Sequence, residues 1–343
     1  MIIFLIIISI ALLILIHEFG HFIAAKAFGL LVEEFGIGFP PRLFSKKIGE
    51  TNYSVNLIPF GGFVRIFGES YNQASTPASP DSISRSFYFQ PAWKKTIVIL
   101  AGVFMNFIIG WLIVSAIFMV GAPEALVINV VSPESPAESV GFKVGDQILG
   151  FGSSEEFIDF IDQNKGEEII LKIQSVGEES EIKIIPRLAP PTGEGSLGIQ
   201  FTEVGLEKIG FFAAIGEGLK TSLTIVTAIF QGLGQILIGL FTTGSLAEGF
   251  VGPIGIFGFA SQAAGLGLAY FLQLIGLISL NLFALNILPF PALDGGRLLF
   301  IIIEKIKGSP LSANFERSAN ATGFLILILL MIAVTVRDVI RLF

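Results

Sequence analysis

Cysteine is absent from the 343-residue chain, and histidine occurs only twice. Without cysteine there can be no disulfide scaffold, cysteine-ligated zinc finger, iron–sulfur cluster or thiol nucleophile. Charge is scarce as well. Asp, Glu, Lys and Arg make up 14% of the residues, against about 25% in a soluble globular domain. The formal net charge is −7 and no basic run is present, which speaks against a nucleic-acid partner. What the chain has in excess is apolar character: 52% of its residues, with a mean hydropathy of +0.79. Any chemistry that needs imidazole must use His17, His21 or both.

The apolar residues are gathered into runs. Residues 2–25 carry only three strongly polar side chains, His17, Glu18 and His21. The run is long enough for a hydrocarbon core, which takes about 20 residues. It fits a cleaved signal peptide poorly, because no Lys or Arg precedes it and no clear small-residue cleavage site ends it. Residues 96–120, 264–290 and 321–336 form three further spans. Residues 209–241 are apolar too but carry Glu217, Lys220, Gln231 and Gln235, and could span or lie in the interface as an amphipathic helix. Eight basic residues face five acids between the first two spans, whereas seven basic residues face eighteen acids over 121–263. The positive-inside rule then puts the first loop and the loop after span three in the cytoplasm, and the long middle region outside.

Residues 124–203 have the composition of a folded domain, with strands expected at Leu126–Val131, Gln147–Phe151, Glu168–Ile173 and Glu181–Ile185. Turn signals separate these strands. The stretch from Val127 to Gly152 resembles a circularly permuted PDZ domain. That resemblance implies a partner bound as an added strand, a peptide C-terminus or other extended segment.

The two histidines sit in His17-Glu18-Phe19-Gly20-His21. On a helix, positions i and i+4 share a face. Two imidazoles there can fill two tetrahedral positions of Zn²⁺, and Glu18 can act as general base. Ionisable groups inside a span cost about 2.5–3.5 kcal/mol each on insertion scales, so three in one helix imply a use. A catalytic site needs a third protein ligand and one open position. With no His or Cys left, that ligand must be a carboxylate, and Asp294 is the prominent one near a span, in Asn286-Ile-Leu-Pro-Phe-Pro-Ala-Leu-Asp294-Gly295-Gly296. Pro289 and Pro291 break the helix, and the two glycines are expected to permit unusual dihedrals. Asp294 reaches the depth of the histidines only if residues 209–263 cross the membrane an even number of times, so 209–241 are expected to be interfacial or peripheral, against their hydropathy.

The HEFGH run, the stretch from Ala101 to Phe107 and the NILPFPALDGG run resemble, in that order, the site-2 protease family in its bacterial regulator-of-sigma-E (RseP-like) form. The resemblance implies an intramembrane zinc metalloprotease with His17, His21 and Asp294 as ligands and Glu18 as general base. It further implies that Asn286 holds substrate backbone, and that Phe35 to Arg65 form a membrane-reentrant β-hairpin. The hairpin edge at Gly61 and Gly62 would then pair with an unwound single-pass membrane-protein substrate. Val251 to Ile256 resemble the segment after the family's post-PDZ helices. Val103 stands where the family commonly has Pro, and one PDZ domain is expected where some members have two.

The expectation is therefore a polytopic α-helical membrane protein with about four transmembrane helices, an inserted extracytoplasmic β-rich PDZ domain and a reentrant hairpin. Its parts are helix 1 (1–30), cytoplasmic loop with hairpin (31–93), helix 2 (94–121), PDZ domain (122–205), interfacial helices (206–263), helix 3 (264–296), cytoplasmic loop (297–317) and helix 4 (318–343). The expected setting is the bacterial cytoplasmic membrane, with the active site toward the cytoplasm. The expected substrate is an anti-sigma factor or signal-peptide remnant. A PDZ-bearing scaffold with a structural zinc is the alternative, and a transporter is a weaker one.

Overall fold

The computed structural model describes residues 2–69, 83–175, 178–242, 255 and 268–340. Residues 70–82 of the expected cytoplasmic loop (31–93), and the 251–256 motif apart from Gly255, lie outside them.

Helix α1 (Ile2–Ala27) is apolar on all sides, as a helix surrounded by lipid and protein should be. After it come two long bent strands, β1 (Val32–Ile48) and β2 (Thr51–Ile66). Phe35 is paired with both Val64 and Tyr53, and Lys46 with Tyr53. The two strands therefore fold into four side-by-side segments, with 62–66 at one edge and 42–48 at the other. This sheet lies along α1. Lys26 Nζ reaches Glu50 at 2.8 Å, Phe22 meets Phe35 at 5.1 Å, and Gly61 and Gly62 are buried against Ile14 and Leu15. From Lys26 to Ile14 is about 18 Å at 1.5 Å per residue. At that deep end Ile37, Phe39, Leu57 and Ile58 are exposed.

Helix α2 (Ala92–Val120) is the hub. Gly20 of α1 packs on its Ala101–Gly102 backbone. Small residues at such crossings let helix backbones approach closely. Between α2 and the next long helix lies a five-stranded antiparallel sheet, order β6-β5-β4-β3-β7, built from β3 (Ala122–Val131), β4 (Gln147–Leu149), β5 (Ile169–Ser175), β6 (Glu178–Ile184) and β7 (Ile199–Leu206). The short helices α3 (Pro136–Ser139) and α4 (Ser154–Gln163) start at Ser135 and Ser153, whose hydroxyls accept the backbone N–H of Glu138 and Glu156. Leu126, Ile128, Phe157 and Leu171 fill the core. Four strands fall where expected. The fifth, β7, follows the weak pattern of 199–206 and pairs with β3.

Helix α5 (Phe211–Thr242) covers the segment expected in the interface. It runs antiparallel to α2: Ile209 N–H donates to Phe118 O, Trp111 Nε1 donates to Ile215 O, and Val226 packs with Val103. Ala214, Gly218 and Ser222 are spaced by four on the face toward α2, and Gly218 touches Ser115. Helix α6 (Leu268–Asn286) also runs antiparallel to α2, with Leu280 against Gly110 and Ser279 Oγ donating to Asn106 O at 2.7 Å. Two helices follow, α7 (Asp294–Lys307) and α8 (Ala313–Ile340). Among the described residues, five helices are long and apolar enough to cross a membrane: α1, α2, α5, α6 and α8. The sequence led us to expect about four, and α5 is the additional one, its hydropathy lowered by the polar side chains on its exposed face.

Candidate metal centre

Among the described residues, His17, His21 and Asp294 form the group of ligand-type side chains close enough to share one metal ion. One helical turn separates the histidines on α1, and their rings stand edge to face at 4.8 Å. Asp294 Oδ2 lies 2.9 Å from His17 Nε2 and 3.4 Å from His21 Nε2, and the two Nε2 atoms are 3.1 Å apart. Tetrahedral zinc with bonds of about 2.0–2.2 Å holds its donor atoms about 3.3–3.6 Å apart. The triangle is close to one face of that tetrahedron, so these three residues fit the metal.

The rings are oriented from α2. His21 Nδ1 lies 2.9 Å from Val98 O. A proton on Nδ1 donated to that carbonyl leaves the Nε2 lone pair free for a metal. Gly102 supplies the space: a Cβ there would fall inside the His21 imidazole. Neither Gly102 nor Gly20 was singled out from sequence, although both lie in the quoted runs.

Asp294 is delivered by a tight loop. Helix α6 ends at Asn286, and Pro289 and Pro291 bar its continuation. The chain turns through Phe290 N–H to Leu288 O and Leu293 N–H to Phe290 O, then starts α7 at Asp294. Ala292 takes a left-handed φ of 76°, and Asn320 Oδ1 of α8 accepts its N–H at 3.0 Å. Gly295 and Gly296 do not serve the expected purpose, since neither has a positive φ. They are needed because a Cβ would strike the carbonyls of Leu288 and Phe290. Gly323 of α8 is pressed on Pro291 in the same way.

Glu18 is half-buried, and its Oε2 accepts the Val64 N–H at 3.1 Å. It shares a cleft of about 230 Å³ with His17, Asn106, Asn286 and Asp294. Asn286 is the last residue of α6 and sits in the cleft wall. Gly61 and Gly62 lie outside this wall, on α1. Asn106 and Asn320 are polar neighbours of the centre that sequence reasoning did not name. Asn106 was visible only as the one polar side chain in the 101–107 run.

The model of peptidase family M50 matches residues 5–330. The chain belongs to peptidase family M50. That stretch runs from α1 through the Asp294 loop into α8. The chain is 34% identical to a Clostridium perfringens protein over 96% of its own length and 95% of the other. It is 30% identical to the zinc metalloprotease RasP of Oceanobacillus iheyensis, covering 96% of this chain and 97% of that one. It is 26% identical to the regulator of sigma-W protease RasP of Bacillus subtilis, with 96% of each covered.

Proposed function

We propose that this M50 member is a zinc-dependent intramembrane metallopeptidase that hydrolyses a peptide bond within or near the transmembrane segment of a membrane-protein substrate. The observation that carries this reading is the triangle of His17, His21 and Asp294 donor atoms in one cleft with Glu18, a carboxylate outside that triangle. His17, His21 and Asp294 hold the zinc. Zinc, when bound, supplies Lewis acidity and a water of lowered pKa.

The chain's own residues do the rest. Glu18 takes a proton from the attacking water and passes it to the leaving amine as the C–N bond breaks. Its bond to Val64 fixes the carboxylate against the sheet. A helical substrate presents no free carbonyl, so it must unwind locally. The 62–66 edge, carrying Gly62, offers backbone partners for the opened strand. The Asn286 amide hydrogen-bonds substrate backbone from the opposite wall, and close packing of Gly61 and Gly62 on Ile14 and Leu15 holds that edge at the depth of the site. The exposed apolar residues at the deep end of the sheet support its reentry into the bilayer.

The five-stranded sheet is read as the PDZ domain, with β7 as the edge that accepts a peptide strand. The charge balance of the loops supports a cytoplasmic metal centre, an outer PDZ domain and a bacterial cytoplasmic-membrane location. The sigma-W name of the Bacillus relative supports an anti-sigma factor as substrate, cut in regulated intramembrane proteolysis.

The test is zinc content combined with cleavage of a reporter transmembrane segment by the purified protein. One zinc per chain and cleavage inside the segment are expected, with chelation stopping cleavage and zinc restoring it. Bound zinc without any cleavage would replace this reading with the scaffold one.

A further inference from the structure

Asn106 lies on α2 with no exposed surface. Its Nδ2 is 3.2 Å from His17 Nδ1, and its Oδ1 is buried without a hydrogen-bond partner. Its backbone oxygen is separately engaged by Ser279 Oγ. The side chain therefore does one thing among its described neighbours, which is to face the imidazole of His17.

The pairing carries a chemical constraint. If His17 gives its Nε2 lone pair to a metal, its single ring proton sits on Nδ1. An NH₂ group facing that N–H would set donor against donor. Amide oxygen and nitrogen have nearly the same shape, so a half-turn about the Cβ–Cγ bond exchanges them within the same space. The turn pairs the orphan Oδ1 with the Nδ1 proton and ends the opposition of donors, and moves the NH₂ to where the oxygen had been.

We propose that Asn106 is a positioning residue of the metal centre, its side-chain carbonyl accepting the Nδ1 proton of His17 and so fixing Nε2 as the donor atom. Val98 O does the same for His21 through the main chain, so α2 sets both imidazoles. This inference rests on the reading of His17 as a ligand. It extends that reading by naming the group that selects the tautomer.

The experiment is competition for zinc between the purified full chain and a chelator of known affinity. Asn106→Leu keeps the size and removes the acceptor. It should weaken zinc binding about 10–100-fold, the usual cost of losing such a partner. Asn106→Asp keeps an acceptor in either orientation and should bind within a few-fold of the parent or more tightly. Ser279→Ala, which removes only the neighbouring bond, should leave affinity unchanged. Parent-like affinity in Asn106→Leu would overturn the proposal, as would an Asn106→Asp as weak as Asn106→Leu, which would mean a packing role. Should Asn106→Leu fail to fold, Asn106→Ala is read on the same scale. A parent chain that binds no zinc would overturn the metal reading itself, an outcome distinct from zinc bound equally by parent and variants.

Discussion

Glu18 and Val64 are joined across two elements: a carboxylate oxygen on the first helix accepts the N–H of an edge strand at 3.1 Å. The acid beside the metal centre is thereby held by the same strand that is proposed to receive substrate. Glu18→Gln keeps an oxygen for Val64 and loses the proton acceptor. It should lower cleavage of a reporter segment by at least about 10²–10⁴-fold while zinc stays at one per chain. Retained cleavage would remove Glu18 from the chemistry.

Gly102→Ala should displace the His21 ring, because its methyl would overlap the imidazole. Shifting a ligand is expected to cost about tenfold or more in zinc affinity, as does disturbing a ligand's supporting partner. Gly110, where an added Cβ would press on Leu280 and the Gly276 carbonyl and not on a histidine, is the control. Alanine there should leave zinc binding intact. Equal affinities for both variants would contradict the role of Gly102.

Asn320→Ala removes the acceptor for the left-handed Ala292 N–H. One hydrogen bond contributes about 1 kcal/mol, so the Asp294 loop should loosen and turnover should fall about fivefold with zinc still bound. Ala292→Gly, which accepts a positive φ freely, should restore part of the loss in the double variant. Turnover kinetics of the two single variants and the double variant check this.

Glu50 caps the turn of the sheet between Arg85 and Lys26. The Arg85 guanidinium, then the Lys26 ammonium, hold its carboxyl below the ordinary 4.5, at about 2. A depressed pKa stabilises the fold above the unfolded value and loses that contribution as pH falls from about 4.5 to about 2. The group is partly exposed, so the contribution is at most about 1 kcal/mol. Glu50→Gln should remove this group's pH dependence over that window, so that its deficit relative to the parent shrinks as pH falls toward 2 and vanishes only below it. Thermal unfolding in detergent at stepped pH reads it.

Much of the centre was legible because its chemistry is written locally. His17, Glu18 and His21 need only a helix to face one way, and the shortage of other ligands pointed to Asp294. The supporting groups were less visible. Asn106 is one amide in an apolar run, and nothing in its own segment says that it faces His17 from 89 positions away. Gly295 and Gly296 read as sources of unusual dihedrals, whereas they yield space to carbonyls that only the folded loop brings near. Helix α5, the candidate span beyond the expected four, was hard to read for a similar reason. Its Glu217, Lys220 and Gln231 lower the hydropathy, while the small residues 214, 218 and 222 that seat it on α2 add little signal. The four-segment form of the sheet depends on Phe35 pairing with two partners at once, a long-range register that hairpin patterning does not encode.

The glycine contacts of α2 have a mechanical consequence. With Gly20 set on its backbone, Gly102 under the His21 ring and Gly110 under Leu280, α1, α2 and α6 are locked as a wedge without slack. Prying it apart would carry the two imidazoles away from the carboxylate. The cleft is walled by α1, α2, the end of α6 and the Asp294 loop, so under the proposed function a gate would be sought at the Asp294 loop, the one part of that wall that is not a helix.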